Sequence, residues 1–218
     1  MATERSLLHI LCIHGYRQNG QTFRERTGAF RKLVKSHAKF VFITAPNVVP
    51  PLPSDTKNDQ DQRGWWFSRQ DDYFNAQDDS HCDKGYENSL QIIKETCKTE
   101  GPFDGILGFS QGASMVSLIL SLQTLQKEPS FQFKFAILVA GFKSKSVQHA
   151  SLYETKIDIP TLHVFGENDK VIESAMSEEL LKDYSNAKTL KHSGGHYIPA
   201  TTDQKSVYLE FLQSRIVA

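Results

Sequence analysis

The stretch FDGILGFSQGASMVSLILSLQ, Phe103 to Gln123, constrains the fold more than any other part of the chain. An apolar run of strand length passes through one serine held between two glycines, then into an apolar run of helical length. Residues 108 and 112 are small enough for strand and helix to lie close together, so the connecting turn is sharp. The join requires a sheet with a helix packed directly on it.

The rest of the chain repeats the alternation. Leu7–Ile13, Lys39–Thr44, Phe103–Gly108, Phe133–Ala140, Ile159–Phe165 and Ala187–Lys191 read as strands. Thr22–Ser36, Tyr86–Thr99, Gln111–Gln126, Glu173–Tyr184 and Thr202–Ile216 read as helices. Strands separated by helices of ten or more residues predict βαβ units, hence an α/β fold with a mainly parallel sheet covered on both faces. Strand order is not readable from the alternation. At 218 residues the chain fits one domain, residues 1–218. Its irregular stretch from Asn47 to Lys84 reads as an inserted, cap-like loop.

Composition narrows the function. Lys+Arg and Asp+Glu number 25 each and form no dense basic cluster, so neither nucleic acid nor an acidic membrane surface is favoured as a partner. No stretch reaches the ~18 apolar residues of a membrane span. Cys12, Cys82 and Cys97 are too scattered for a disulfide framework or a zinc site, which points to a reducing, cytoplasmic setting with the nucleus left open. There is no GxxxxGK[ST], and no GxGxxG follows the first strand, so phosphoryl and hydride transfer are disfavoured. The aspartate-rich DDYFNAQDDSHCD lacks calcium-loop spacing and reads as a solvated acidic face. No metal or cofactor is called for.

Gly108-Phe109-Ser110-Gln111-Gly112 matches GxSxG. The pentapeptide alone is weak, but strand–turn–helix is the setting a nucleophile elbow requires. A serine hydroxyl needs a base, and that base needs an orienting group. Asp169 (HVFGENDKVI) follows the strand ending at Phe165, and His196 (LKHSGGHYIP) lies in a glycine-rich loop after the last strand. The order Ser110, Asp169, His196 is that of α/β-hydrolases, and each residue follows the C-terminal end of a strand, where open parallel sheets bind ligands. Glu167 and Asp158 are rival acids, but one immediately follows its strand and the other precedes it, at the wrong edge. His192 is a rival base nearer its strand end, and His163 sits mid-strand.

The loop CIHGYRQNG, residues 12–20, is placed to aim N–H groups at the same edge. The backbone N–H groups of Tyr16 and Gln111 are the expected oxyanion donors, while His14 reads as structural. Trp65, Trp66 and Phe67 either anchor the long loop or line an apolar substrate pocket, with anchoring favoured for at least one tryptophan. A pocket role implies a small-molecule ester with an apolar acyl chain.

Together LCIHGYRQNG, RGWWF, GYENSL, GILGFSQGA, HVFGENDKVI and GGHYIP resemble the FSH-type serine hydrolases, over nearly the whole chain. The resemblance implies an α/β-hydrolase fold and a metal-independent carboxylic ester hydrolase. Its triad would fall on Ser110, Asp169 and His196, and some relatives prefer long-chain alkyl esters. A thioesterase, a peptidase or a binding protein without turnover are the alternatives, since fold alone does not fix function.

Overall fold

The computed structural model describes residues 7–55 and 61–216. Residues 56–60 of the expected insertion, and the outer ends of the 1–218 domain, lie outside the described residues.

Six parallel strands form the main sheet in the order β2-β1-β5-β6-β7-β8. They are β1 (Leu8–Ile13), β2 (Ala38–Ile43), β5 (Gly105–Phe109), β6 (Phe135–Val139), β7 (Thr161–Gly166) and β8 (Ala187–His192). Strands β5, β6 and β7 are buried at every position, as the unbroken runs GILGF, FAILV and TLHVFG require when both faces are covered. The α/β-hydrolase fold expected from the sequence is therefore present.

The helices are α1 (Gly20–Arg26), α2 (Gly28–Val34), α3 (Tyr86–Glu100), α4 (Gln111–Thr124), α5 (Ser174–Leu181) and α6 (Thr202–Ile216). The chain steps one way from β1 to β2 and the other way from β2 to β5 and onward. Right-handed crossovers then place α1 and α2 on one face and α3, α4 and α5 on the other. Helix α6 joins the first group, its Tyr208 ring edge-on to Phe30 at 4.9 Å. The order reverses beside β1 and β5, whose C-terminal ends flank the crevice where such sheets bind ligands.

The helix expected over Thr22–Ser36 is two helices. Thr27 leaves the helical region (φ −92°, ψ 9°), and its hydroxyl donates to the Phe23 carbonyl at 2.8 Å, so a threonine followed by glycine breaks the run. Inside the insertion, β3 (Asn47–Val48) pairs antiparallel with β4 (Arg63–Gly64). The folded surface also gathers Arg24, Arg31, Lys35 and Lys39 around Phe40 and Phe42, a local basic patch scattered in the linear sequence.

Candidate active site

Ser110 sits between β5 and α4 with φ 55° and ψ −120°, a backbone conformation that side chains with a Cβ rarely adopt. Such strain costs on the order of 1–3 kcal/mol and persists only where the surroundings enforce it. Here the Ser110 N–H donates to the Val139 carbonyl (2.8 Å), and its own carbonyl accepts from Ala113 N–H at 2.9 Å. The flanking glycines make the turn possible. A Cβ at residue 108 would overlap the Gly112 carbonyl, and one at residue 112 would overlap the carbonyls of Ile13 and His14.

The loops after β7 and β8 are laced together. Glu167 N–H donates to His192 O (2.8 Å), Asn168 N–H to Gly194 O (3.1 Å), and the Asn168 amide to Ser193 O (2.7 Å). This lacing sets His196 beside Asp169. A carboxylate oxygen only accepts, so His196 Nδ1–H donates to Asp169 Oδ2 at 2.7 Å. The unprotonated Nε2 then accepts from Ser110 Oγ–H at 3.0 Å. Asp169 is buried, and its other oxygen accepts from the N–H groups of Val171 (2.8 Å) and Ile172 (2.9 Å). The Phe109 ring lies 4.8 Å from the imidazole, covering one side of it. Serine, imidazole and carboxylate form one continuous hydrogen-bonded line.

The rivals stand elsewhere. Asp158 accepts from Ser185 Oγ at 2.7 Å, and Glu167 is exposed. His163 is buried with its ring 4.5 Å from Tyr184 and its Nε2 3.2 Å from Thr161 Oγ1. His192 Nδ1 accepts from Gly194 N–H at 3.2 Å, and burial lowers its pKa.

Ile13 pairs with Gly108, so the loop after β1 and the turn after β5 emerge side by side. Among the described residues, no acceptor takes a hydrogen bond from the N–H of Tyr16 or of Gln111. Two free donors in that place suit an oxyanion. His14 holds the loop: its Nδ1–H donates to Gly15 O (2.7 Å) and its Nε2 accepts from Ala45 N–H (3.0 Å). Burial lowers its pKa to about 4, so it stays neutral.

Trp65 and Trp66 are buried in the core, at 0% and 1% exposure, and Phe67 is buried beside them. Each tryptophan withdraws on the order of 200 Å² from water, worth about 5 kcal/mol at 25 cal/mol per Å². Both tryptophans anchor the insertion, as expected for at least one of them, and the cavity beside His196 is walled by Phe23, Phe109 and Ile198. The polar half of the anchor could not be read from the sequence. The Gln111 side chain, fully buried, accepts from Trp65 N–H (2.9 Å) and donates to Trp66 O (2.8 Å). Trp65 Nε1–H donates to His14 O at 2.7 Å. Asn47 Nδ2 lies 3.0 Å from the carbonyls of both Gly64 and Gly85, and Ser89 Oγ donates to Trp65 O at 2.6 Å. The only sequence signal for this clamp was an amide side chain next to the serine.

Among the described residues, no cluster of His, Cys, Asp or Glu is placed to hold a metal ion, and no helix is long and apolar enough to cross a membrane.

With this geometry stands a family-wide sequence match: the family described as Serine hydrolase (FSH1) matches residues 3–208. The chain belongs to the FSH1 serine hydrolase family. Among its relatives is the Danio rerio protein named Esterase OVCA2, 48% identical over 94% of this chain and 96% of its own length. The Homo sapiens Esterase OVCA2 is 40% identical over 97% of this chain and 98% of its own. Esterase CG5412 of Drosophila melanogaster is 45% identical over 96% of this chain and 75% of its own. Solved structures share the fold of this FSH1 chain at low identity. Zea mays acyl-protein thioesterase 2 superposes with a TM-score of 0.67 at 19% identity, covering 96% of this chain and 94% of its own. The Bacillus cereus carboxylesterase does so at 0.59 and 15%, covering 97% and 90%.

Proposed function

We propose that this serine hydrolase cleaves carboxylic esters through a Ser110–His196–Asp169 triad and an acyl-enzyme intermediate. The observation that carries the reading is the unbroken line from Asp169 Oδ2 through both ring nitrogens of His196 to Ser110 Oγ. Ser110 Oγ attacks the ester carbonyl as its proton passes to His196 Nε2, and Asp169 holds the imidazole in that tautomer and stabilises the imidazolium. The N–H groups of Tyr16 and Gln111 receive the negative charge of the tetrahedral oxygen. His196 then gives its proton to the departing alcohol. Water enters, loses a proton to His196 and attacks the acyl-serine carbonyl; the returned proton restores Ser110 and frees the acid.

The aromatic wall of the adjoining cavity supports an apolar arm on the substrate, hence medium- to long-chain alkyl esters. The chain acts as one α/β-hydrolase domain in which the insertion is part of the structural core.

A panel of p-nitrophenyl esters of increasing chain length, run together with fluorophosphonate labelling, tests the reading. The protein should turn over the esters and take the label, and Ser110→Ala should do neither. A fully active Ser110→Ala protein ends the proposal.

A further inference from the structure

The cavity beside His196, about 300 Å³, has the apolar Phe23, Phe109 and Ile198 in its lining together with the polar Gln18, Arg26, Thr27 and Tyr197. The Phe23 and Phe109 rings lie 6.0 Å apart with 20° between their planes, and Phe109 continues the wall to the imidazole. An unbranched carbon chain can lie along such a wall. Away from the aromatic wall, the lining includes Gln18 and Arg26.

Gln18 is 94% withdrawn from solvent, with 6% of its surface exposed, and only half of its side-chain amide is used. The Gly15 N–H donates to it at 3.1 Å. A backbone N–H can meet only an oxygen, so this bond fixes the amide orientation and leaves the NH2 group as the free half. Among the described residues, that Nε2 has no hydrogen-bond partner. It is not among the fully buried atoms left without a partner, so it stays reachable and can donate to an acceptor brought by a ligand. Thr27, the other buried polar residue lining the cavity, has its hydroxyl committed to the Phe23 carbonyl at 2.8 Å.

Arg26 adds charge. It lies in the last turn of α1, is exposed, and forms no ion pair with any described residue. Arg69 and Lys143, by contrast, are held by Asp78 and Asp183. Among the described residues, no aspartate or glutamate lines the cavity. An unpaired guanidinium, an unpaired amide donor and no competing carboxylate together make a receptor for an anion's oxygens.

We infer that the substrate arm lodged in this cavity is an apolar stem ending in a carboxylate, held by Arg26 and the Gln18 amide, so that monoesters of dicarboxylic acids are the preferred class. The inference rests on the ester-hydrolase reading of Ser110 and names the chemistry of its substrate. Arg26 is a specificity residue here; it touches none of the reacting atoms.

The test compares p-nitrophenyl monoesters of adipic and suberic acid with the neutral hexanoate and octanoate. The carboxylate esters should be favoured in kcat/KM by about tenfold, the lower end of what a charge-assisted hydrogen bond supplies at a partly exposed site. Arg26→Ala should bring the charged and neutral esters to within about twofold of each other in kcat/KM, and Arg26→Lys should keep part of the preference. Gln18→Glu keeps an oxygen for Gly15 but turns an anion toward the cavity, and should reverse the preference. Equal rates for the charged and neutral esters, or a preference unchanged in Arg26→Ala, overturn the inference. A binding arm separates it from the hydrolase reading: Ser110→Ala protein is titrated with monomethyl adipate and with methyl hexanoate. Arg26-dependent binding of the first without ester turnover by the unaltered protein would sink the hydrolase reading and leave the anion site standing. Indifferent binding of both would sink the anion site alone.

Discussion

Gln111 and Trp65, 46 residues apart in the chain, meet inside the protein, where the glutamine Oε1 accepts the tryptophan N–H at 2.9 Å. The same side chain donates to the next carbonyl, Trp66 O, so one amide satisfies two backbone groups of the insertion beside the candidate nucleophile. Gln111→Leu would leave both groups unpaired, at about 1–3 kcal/mol each. With about 3 kcal/mol lost, the melting temperature should fall by roughly 6–12 °C. Ester turnover should fall with it, because Gly64, packed against the Tyr16 ring, loses its neighbouring support. Calorimetry showing an unaltered transition would remove the clamp from the account.

Asp169→Asn offers a sharper separation of fold from chemistry. The asparagine carbonyl can still accept from Val171 and Ile172, so the loop should keep its shape. Its NH2 would then face His196 and enforce the wrong tautomer. A loss of about 10⁴ in kcat with little change in melting temperature is expected, as when a triad aspartate is so altered elsewhere. Near-normal kinetics would assign the orienting role to another acid.

Gly112→Ala places a methyl group against the carbonyls of Ile13 and His14, which belong to rigid neighbouring backbone. Relief requires strand and helix to separate, at about 3 kcal/mol. Fluorophosphonate labelling of Ser110 should slow by more than tenfold even in the folded fraction. Labelling at the parent rate would show that the close approach is dispensable.

Stability should decline as the solution is acidified from pH 7 to pH 5. Burial lowers the pKa of His14 to about 4, of His149 to about 4 and of His163 to about 3. His149 Nε2 lies 3.7 Å from Asp83, yet burial outweighs that attraction, so the contact is no ion pair at neutral pH. Between the folded values and the ordinary 6.5, the unfolded chain binds more protons than the folded one, so unfolding free energy rises with pH there. At pH 5 each histidine withdraws about 2 kcal/mol relative to neutral pH. Urea titrations should show that decline, and His163→Gln should flatten it; a midpoint constant from pH 7 to pH 5 would contradict the assignment.

The strand and helix alternation was legible because period and length are local properties: α6 begins and ends at Thr202 and Ile216, as its pattern indicates. The break at Thr27 was not, because a threonine hydroxyl serves equally inside or at the end of a helix until its partner carbonyl is known. The spacing of Ser110, Asp169 and His196 along the chain pointed to one sheet edge, but the lacing of residues 166–168 to 192–194 depends on two strands being neighbours. How the tryptophans are anchored was hidden for a related reason. An aromatic pair in a polar loop looks the same whether it faces a ligand or the core, and the deciding partner, the Gln111 side chain, comes from another element. Gln18 and Arg26 gave no linear signal, since the wall they share with His196 exists only once α1 packs on the sheet.

The insertion's attachment has a bearing on how this scaffold could diversify. Its root is bolted beside the candidate nucleophile through Asn47, Trp65 and Ser89, so exchanging that root between relatives would disturb the turn that carries Ser110. Novel selectivity is more readily acquired by remodelling the short helix bearing Arg26 and the segment just beyond His196. Engineers seeking altered preferences should direct their libraries there and leave the tryptophan pair untouched.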